Sequence, residues 1–201
     1  VINGQKTGFY LDQRENRRMI MAHCAEKQVL NCFAYTGAFS VYAAAGKASS
    51  VTEVESSAEA LALGRKAMTL NQLDRTHYEQ RIGNVFYILR EWREDGRRFD
   101  LIILDPPKFA SSKGQLPRAA RGYKDINLLA MHLLRPNGIL CTFSCSGLVS
   151  TELFQKIVFS ASIDAGREVQ IIGRLHQGAD HPVLLSFPES QYLKGLICRV
   201  I

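Results

Sequence analysis

The stretch "FDLIILDPPK" (residues 99–108) predicts a buried strand of a parallel sheet. Its apolar run would face protein on both sides, as strands do when helices cover both faces of a sheet. Pro106 and Pro107 follow at once, and because proline lacks an amide hydrogen they cannot extend a hydrogen-bonded ladder. The strand must therefore end at Asp105, which leaves one carboxylate fixed at its carboxyl end.

Outward from this strand, the hydrophobic pattern alternates between short β-rich runs and longer helical stretches, which is typical of βαβ units. The predicted strands are 27–33, 49–55, 78–82, 99–105, 138–145, 168–176 and 193–201, and the predicted helices are 13–24, 38–45, 57–71, 85–94, 125–134 and 151–165. The last two strands have no helix between them, so they can pair antiparallel at the sheet edge. The sequence therefore predicts a doubly wound α/β fold with a seven-stranded, mostly parallel sheet, whose ligands bind beyond the carboxyl ends of the strands.

The bulk composition indicates one domain and a polyanionic partner. With 201 residues and 46% hydrophobic content, the chain can bury one core. We interpret residues 1–25 as a lead-in whose helix packs on the main domain, 26–201. The opening "VINGQKTGFYLDQREN" (1–16) reads as strand and turn from the middle of something larger, which suggests a preceding domain. The net charge of +6 and the pI near 9.2 favour a polyanionic partner.

Cysteine usage and hydropathy exclude several classes of protein. The five cysteines are an odd number with no CxxC pair, which argues against a disulfide framework and against a four-ligand zinc site. We therefore expect a metal-free protein in a reducing cytoplasm. No apolar run reaches the roughly 18 residues that a membrane span needs, and no signal peptide opens the chain, so we expect no membrane association.

The loop after the first strand, "NCFAYTGAFS" (31–40), is a candidate cofactor site. Gly37 would let backbone approach a ligand just before the helix begins, and Glu55 ends the second strand, where an acid accepts hydrogen bonds from ribose hydroxyls. There is no GxGxxG fingerprint, so a dinucleotide is poorly supported and a cofactor without phosphates fits better. The alternative is that Gly37 is an ordinary turn residue and Glu55 a helix-terminal carboxylate.

A basic run follows Asp105 and predicts a mobile loop that binds phosphates. The run has five cations, no acid and two aromatic side chains that could stack on bases: Lys108, Lys113, Arg118, Arg121 and Lys124, with Phe109 and Tyr123. The alternative is that these are solvated surface charges, the usual fate of basic runs.

Cys145 is the candidate nucleophile. It ends the strand "GILCTFSC" (138–145), and Gly147 then permits a sharp exit. The preceding strand ends in Asp105, so both side chains should face one crevice. Such a pair suits cytosine chemistry, because addition of a thiolate to C6 turns C5 into a nucleophilic carbon while an acid near N3 stabilises the adduct. We interpret the other four cysteines as small core residues.

Eight motifs along the chain resemble those of the RlmI family, bacterial 23S rRNA (cytosine-C5) methyltransferases. The motifs are "KTGFYLDQR", "NCFAYTGAFS", "DPPKF", "RGYKDIN", "TFSCSG", "DAGR", "ADHP" and "YLKG". The resemblance spans nearly the whole chain. It implies a Rossmann-like class I methyltransferase fold, S-adenosylmethionine as cofactor and large-subunit ribosomal RNA as substrate. It also implies that a PUA-type RNA-binding domain precedes this chain. The resemblance is compatible with a homodimer as well as with a monomer.

The resemblance assigns roles to individual residues. Cys145 would be the nucleophile and Asp105 the acid that holds the base. The cofactor would be held by the loop after the first strand and its surroundings, namely Gln13, Arg14, Phe33, Tyr35, Gly37, Glu55, Asn84 and Asp105. RNA would contact Lys108, Phe109, Arg121, Tyr123 and Lys124. Two residues depart from the pattern: Glu55 stands where Asp is common, and Asn84 stands where an acid would contact adenine.

Three other functions are compatible with parts of this sequence to different degrees. Methylation of a ring nitrogen or amine would leave Cys145 as a packing residue. An RNA-binding module without catalysis would keep only a degenerate cofactor pocket. An NAD-dependent dehydrogenase is disfavoured because the glycine-rich fingerprint is missing. The histidines His132, His176 and His181 show no paired ligand spacing, so we expect structural roles for them.

Overall fold

The computed structural model describes residues 9–74 and 76–201, which alternate between strands and helices. The strands are β1 (Gln28–Cys32), β2 (Ser50–Glu55), β3 (His77–Ile82), β4 (Phe99–Leu104), β5 (Leu134–Ser144), β6 (Val169–His176) and β7 (Lys194–Val200). The α-helices are α1 (Arg14–Met21), α2 (Ala38–Ala45), α3 (Ala58–Leu70), α4 (Val85–Glu94), α5 (Leu116–Leu133) and α6 (Thr151–Ala165). Short 3₁₀ turns cover Leu11–Gln13, Lys113–Gln115 and Pro188–Ser190.

The strands form one seven-stranded sheet in the order β3-β2-β1-β4-β5-β7-β6. Neighbouring strands from β3 to β5 run parallel, and β7 is antiparallel to both β5 and β6. The doubly wound fold and the antiparallel pair at the sheet edge are thus confirmed. The strand order reverses between β1 and β4, and such a switch point opens a crevice beyond the carboxyl ends of the two strands.

Two hydrophobic clusters cover the two faces of the sheet. In β4, Leu101 and Ile103 belong to one cluster, while Ile102 and Leu104 belong to the other, as the two-residue period of a strand requires. Helices α1 to α3 contribute to the first cluster and α4 to α6 to the second. The run "LIIL" is fully buried on both sides, so the prediction from its sequence is confirmed.

The helix α5 corrects the prediction for the basic run. We expected a mobile loop as far as Lys124 and a helix from Asp125, whereas α5 begins at Leu116 with Pro117 in its first turn. Proline is tolerated there because the first amide hydrogens of a helix have no partner inside the helix. Buried positions at 119, 123, 126 and 130 recur at helical spacing, and this period was a signal in the sequence that the charges obscured.

Residues 9–74 and 76–201 contain neither a candidate membrane span nor a candidate metal site. In this part of the chain, no helix has the length and the apolar character to cross a membrane. Over the same residues, no three histidine, cysteine or acidic side chains gather into a metal site.

Candidate active site

The crevice at the switch point collects residues from four strand ends and from the N-terminal segment. The loop after β1 and Glu55 at the end of β2 line one side, and Asp105 after β4 and Cys145 after β5 line the other. The segment before α1 crosses this edge, because the Gln13 amide donates to Asp105 Oδ1 at 3.1 Å. The structure thus brings together residues that lie far apart in the sequence.

The loop after β1 has an unusual backbone. Phe33, Tyr35 and Gly37 have φ angles of 57°, 48° and 73°, in the left-handed region that side chains disfavour. At Gly37 a Cβ atom would lie 2.5 Å from Glu53 Oε1, so only glycine fits. Backbone held in such conformations is common where a chain clamps a ligand.

The Glu55 carboxylate is fixed by backbone amides. Its Oε2 atom accepts from the Tyr35 amide at 2.9 Å, and its Oε1 atom accepts from the Ser56 and Ser57 amides at 2.7 and 3.1 Å. Glu55 therefore ties the end of β2 to the loop after β1. A carboxylate oxygen has further lone pairs, so ribose hydroxyls can still donate to it.

Asp105 is partly buried and lies near other charged groups. Loss of hydration raises the pKa of Asp105 to about 7; the nearby Arg17 guanidinium opposes this effect and Asp12 adds to it. Gln13 is held in turn by the Asn16 amide, which donates to Gln13 Oε1 at 2.7 Å. At neutral pH Asp105 can therefore either accept or give a proton.

Cys145 is the only one of the five cysteines that is not buried. Its thiol donates to the Pro106 carbonyl with an Sγ to O distance of 3.8 Å. Burial raises the pKa of the Cys145 thiol to about 11, and the Asp105 charge acts in the same direction. The thiol is protonated at neutral pH, so it needs a proton acceptor before it can act as a nucleophile.

Two of the predicted cofactor residues have partners of their own. Asn84 caps α4 by accepting the Phe86 amide at 2.9 Å, which leaves its exposed amide group for a ligand. Arg14 turns away from Asp105, because its guanidinium bonds Glu15 at 3.0 Å and Asp180 at 3.5 Å. The structure therefore gives Gln13, and not Arg14, a direct link to the crevice.

The predicted RNA residues fall into two groups. The prediction that Tyr123 offers a stacking face to RNA is wrong, because Tyr123 is fully buried and its hydroxyl group is 3.0 Å from Ser144 Oγ. Phe109 packs on Tyr123 with ring centroids 4.6 Å apart, and Lys124 pairs with Asp164 at 2.7 Å. By contrast, Lys108 and Arg121 are exposed, and no ion pair in the described part of the chain involves either of them.

Sequence reasoning missed polar groups that complete the crevice. Arg17 is 4% exposed and donates to the Tyr10 carbonyl at 2.8 Å. Its signal was present, because Gln13, Asn16, Arg17 and Ile20 share one helical face and all are buried. The Tyr192 hydroxyl donates to Asp12 at 2.6 Å across a separation of 180 residues, which no local pattern reveals.

Comparison with known proteins places this architecture in a family. The model of the family described as S-adenosylmethionine-dependent methyltransferase matches residues 1–181. The chain belongs to this family. Its cofactor is therefore S-adenosylmethionine, as the sequence motifs implied.

Relatives of this methyltransferase are found among curated proteins and solved structures. Proteins of Shewanella denitrificans and Tolumonas auensis, 54% and 57% identical over 100% and 98% of this chain, are named ribosomal RNA large subunit methyltransferase I. The resemblance drawn from the motifs is thus confirmed. The chain spans about half the length of these relatives, 50% in each case. SMU.776, assigned as a methyltransferase and solved with S-adenosylhomocysteine, is 28% identical, with a TM-score of 0.86 over 96% of this chain and 50% of that one.

The crevice fits S-adenosylmethionine on its own chemistry. The cofactor carries a ribose and no phosphate, and the crevice offers an ordered carboxylate at Glu55 and a left-handed loop at Phe33, Tyr35 and Gly37. The Phe33 and Phe86 rings, 6.4 Å apart between centroids, give an apolar wall beside Asn84. These features suit a nucleoside without a pyrophosphate group.

Proposed function

We propose that this chain is the catalytic domain of an enzyme that methylates C5 of a cytosine in large-subunit ribosomal RNA. The observation that carries the proposal is the Cys145 thiol, the one cysteine open to solvent, at the end of the strand next to Asp105. The names of the curated relatives support ribosomal RNA as the substrate. The base and the atom rest on the chemistry of the two side chains.

A cysteine is needed because C5 of cytosine is a weak nucleophile. Cys145 would form a bond from Sγ to C6 and thereby make C5 electron-rich. S-adenosylmethionine supplies an electrophilic methyl group when bound. After methylation, loss of the C5 proton to a base and cleavage of the bond between C6 and Sγ would restore the aromatic ring, and return of the proton held on N3 to the sulfur would regenerate the free cysteine. The target base must leave its stack to be reached from both sides.

Asp105 would move the proton that this addition requires. Addition of sulfur to C6 places negative charge on N3, which must be neutralised. The Cys145 thiol must lose one proton at the same time. Asp105 interacts with Cys145 electrostatically. Because the pKa of Asp105 is about 7, its carboxylate can accept the proton from the thiol and then give it to N3. The number of protons in the site is then unchanged.

Replacement of Glu55 by alanine should weaken the binding of S-adenosylmethionine about tenfold to a hundredfold. The variant loses the acceptor for ribose hydroxyls and also frees the Tyr35 amide; hydrogen bonds to a charged group contribute about 1.5–3 kcal/mol. Isothermal calorimetry measures the effect, with Glu59→Ala as control, since Glu59 is an exposed carboxylate on the first turn of α3. Equal affinities of wild type and Glu55→Ala would contradict this role.

The exposed cations of the basic run that follows Asp105 in the sequence are proposed to hold the RNA backbone. A triple change of Lys108, Arg118 and Arg121 to glutamine should weaken RNA binding about tenfold and lower the slope of log K against log salt by about 2, since each phosphate contact in single strands contributes about 0.7. Filter binding at several salt concentrations tests this. The control is the triple change of Lys27, Arg93 and Arg98, exposed at the opposite end of the strands. Equal slopes for the two variants would rule out this surface.

The product of the reaction tests the proposed function directly. The protein is mixed with labelled S-adenosylmethionine and large-subunit ribosomal RNA that lacks the modification, and the nucleosides are identified by mass spectrometry. We expect 5-methylcytidine. A methyl group on a ring nitrogen or an exocyclic amine would instead support the rival enzyme, in which Cys145 only packs. Binding of RNA without any methyl transfer would support a module without catalysis.

A further inference from the structure

Lys194 is a buried lysine that the proposed mechanism has not used. It opens β7 and is 5% exposed. Its ammonium group donates to the carbonyl oxygens of Ser146 at 2.7 Å and Val149 at 2.8 Å. Within residues 9–74 and 76–201, no carboxylate forms an ion pair with it. A lysine buried without an acidic partner is rare, because desolvation of the charge is costly.

The two carbonyl groups belong to the turn that begins at Cys145. Lys194 stands opposite Ser144 in the pairing of β5 with β7, so its side chain reaches the segment directly after that strand. The turn is closed by the Val149 amide, which donates to the Ser146 carbonyl at 3.1 Å, and the Ser146 hydroxyl donates to the Ala110 carbonyl at 3.0 Å. The ammonium group therefore fixes the backbone that carries the cysteine.

The charged groups around Cys145 differ in their effect on a thiolate at this position. Asp105 and Asp12 both oppose a negative charge on the sulfur, whereas Lys194 favours it. The other titratable neighbours are the phenols Tyr10, Tyr123 and Tyr192, which are neutral near pH 7. Burial lowers the pKa of Lys194 to about 8, and the charge on Cys145 opposes that shift. The lysine thus still carries its charge at pH 7.

We propose that Lys194 is a positioning residue that anchors the turn at 145–149 and places a buried positive charge where it stabilises the Cys145 thiolate. The proposal rests on the proposed role of Cys145 as nucleophile. It explains why a lysine without a carboxylate partner occupies the core at this position. The charge is balanced only during the reaction, when sulfur becomes negative before it bonds to C6. Lys194 itself would touch neither the base nor the cofactor.

Alkylation of Cys145 tests the proposal without methyl transfer. Iodoacetamide reacts with the thiolate, so at pH 7 its rate follows the thiolate fraction. We expect Lys194→Met to slow alkylation of Cys145 about tenfold and Lys194→Arg to stay within about threefold of wild type, with Lys156→Met, an exposed lysine on α6, as control. Peptide mass spectrometry assigns the site, and the four buried cysteines serve as internal references.

The outcomes separate this proposal from the proposed function. Equal alkylation rates in wild type and a folded Lys194→Met variant would overturn the role of Lys194, whatever the enzyme methylates. Thermal unfolding and binding of S-adenosylmethionine show whether the variant is folded. If Lys194→Met does not fold, Lys194→Arg and Lys194→Gln provide the same comparison, and equal rates in these two would also overturn it. If the variants show the expected alkylation rates but the methylated product is not 5-methylcytidine, only the proposed cytosine reaction would be overturned, and the role of Lys194 would stand.

Discussion

Cys145→Ala is expected to abolish formation of 5-methylcytidine, with a loss of turnover on the order of 10⁴-fold or more. Removal of a covalent nucleophile leaves only the contributions of binding and positioning. Binding of S-adenosylmethionine should change little, because Glu55 and the loop after β1, which are proposed to hold its ribose, lie on the β1 and β2 side of the crevice. Single-turnover assays with labelled cofactor and mass spectrometry of the RNA measure the loss.

A second cysteine on the same strand provides the matched control. Cys141 shares a face of β5 with Cys145 but is fully buried, so Cys141→Ala should lower stability and leave the product unchanged. RNA that carries 5-fluorocytidine at the target should form a stable adduct with wild type and with Cys141→Ala, since fluorine cannot leave as a proton does. Full turnover by Cys145→Ala would instead assign Cys145 to packing and favour methylation of a nitrogen.

The strand ends could be predicted from the sequence because local patterns determine them. Two prolines place Asp105 at the end of β4, and the two-residue period with Gly147 places Cys145 near the end of β5. Glu55 follows from the same reasoning on β2. Such signals lie within a few residues of the side chain that they position. The resemblance to a family then supplied Gln13, whose contact with Asp105 spans 92 residues.

Burial could not be predicted in the same way, because it depends on contacts between distant segments. Tyr123 has the sequence context of a stacking residue in a basic loop, but α5 turns it into the core against Phe154. Lys194 is the first residue of β7, yet it is 5% exposed, and its ammonium group bonds the carbonyl oxygens of Ser146 and Val149 in a distant turn. Long cationic side chains are seldom buried, so sequence reasoning assigns them to the surface.

Asp105→Asn should lower kcat about 10²- to 10⁴-fold and change KM little. Asparagine keeps the shape of a protonated aspartate and can still donate to N3 and accept from the amino group of cytosine, but it cannot transfer a proton. An acid that only bound the base would affect KM instead. Steady-state kinetics with the ribosomal RNA substrate separates the two, and a large rise in KM with kcat unchanged would contradict proton transfer.

The pH dependence of kcat/KM also tests proton transfer by Asp105. The active enzyme has one proton shared between Asp105, with a pKa raised to about 7, and Cys145, with a pKa raised to about 11. The kcat/KM of wild type should therefore fall below pH 7, where Asp105 is protonated as well as Cys145, and level off between pH 7 and the pKa of Lys194, about 8. In Asp105→Asn the thiolate fraction sets the rate over this range, so the residual rate should keep rising between pH 7 and 8. A plateau in the variant would contradict this assignment.

The same substitution should raise stability, which separates a functional role for Asp105 from a structural one. The folded protein raises the pKa of this carboxyl from 3.8 to about 7, so its contribution to stability is present below pH 3.8 and is lost as the pH rises to about 7. Asp105→Asn removes this loss, and its Tm should exceed that of wild type at pH 8 and approach it at pH 4. Thermal unfolding at both values measures the difference. A residue kept at a cost to stability and needed for turnover is what a catalytic acid requires, because its desolvation is what brings its pKa to the working pH.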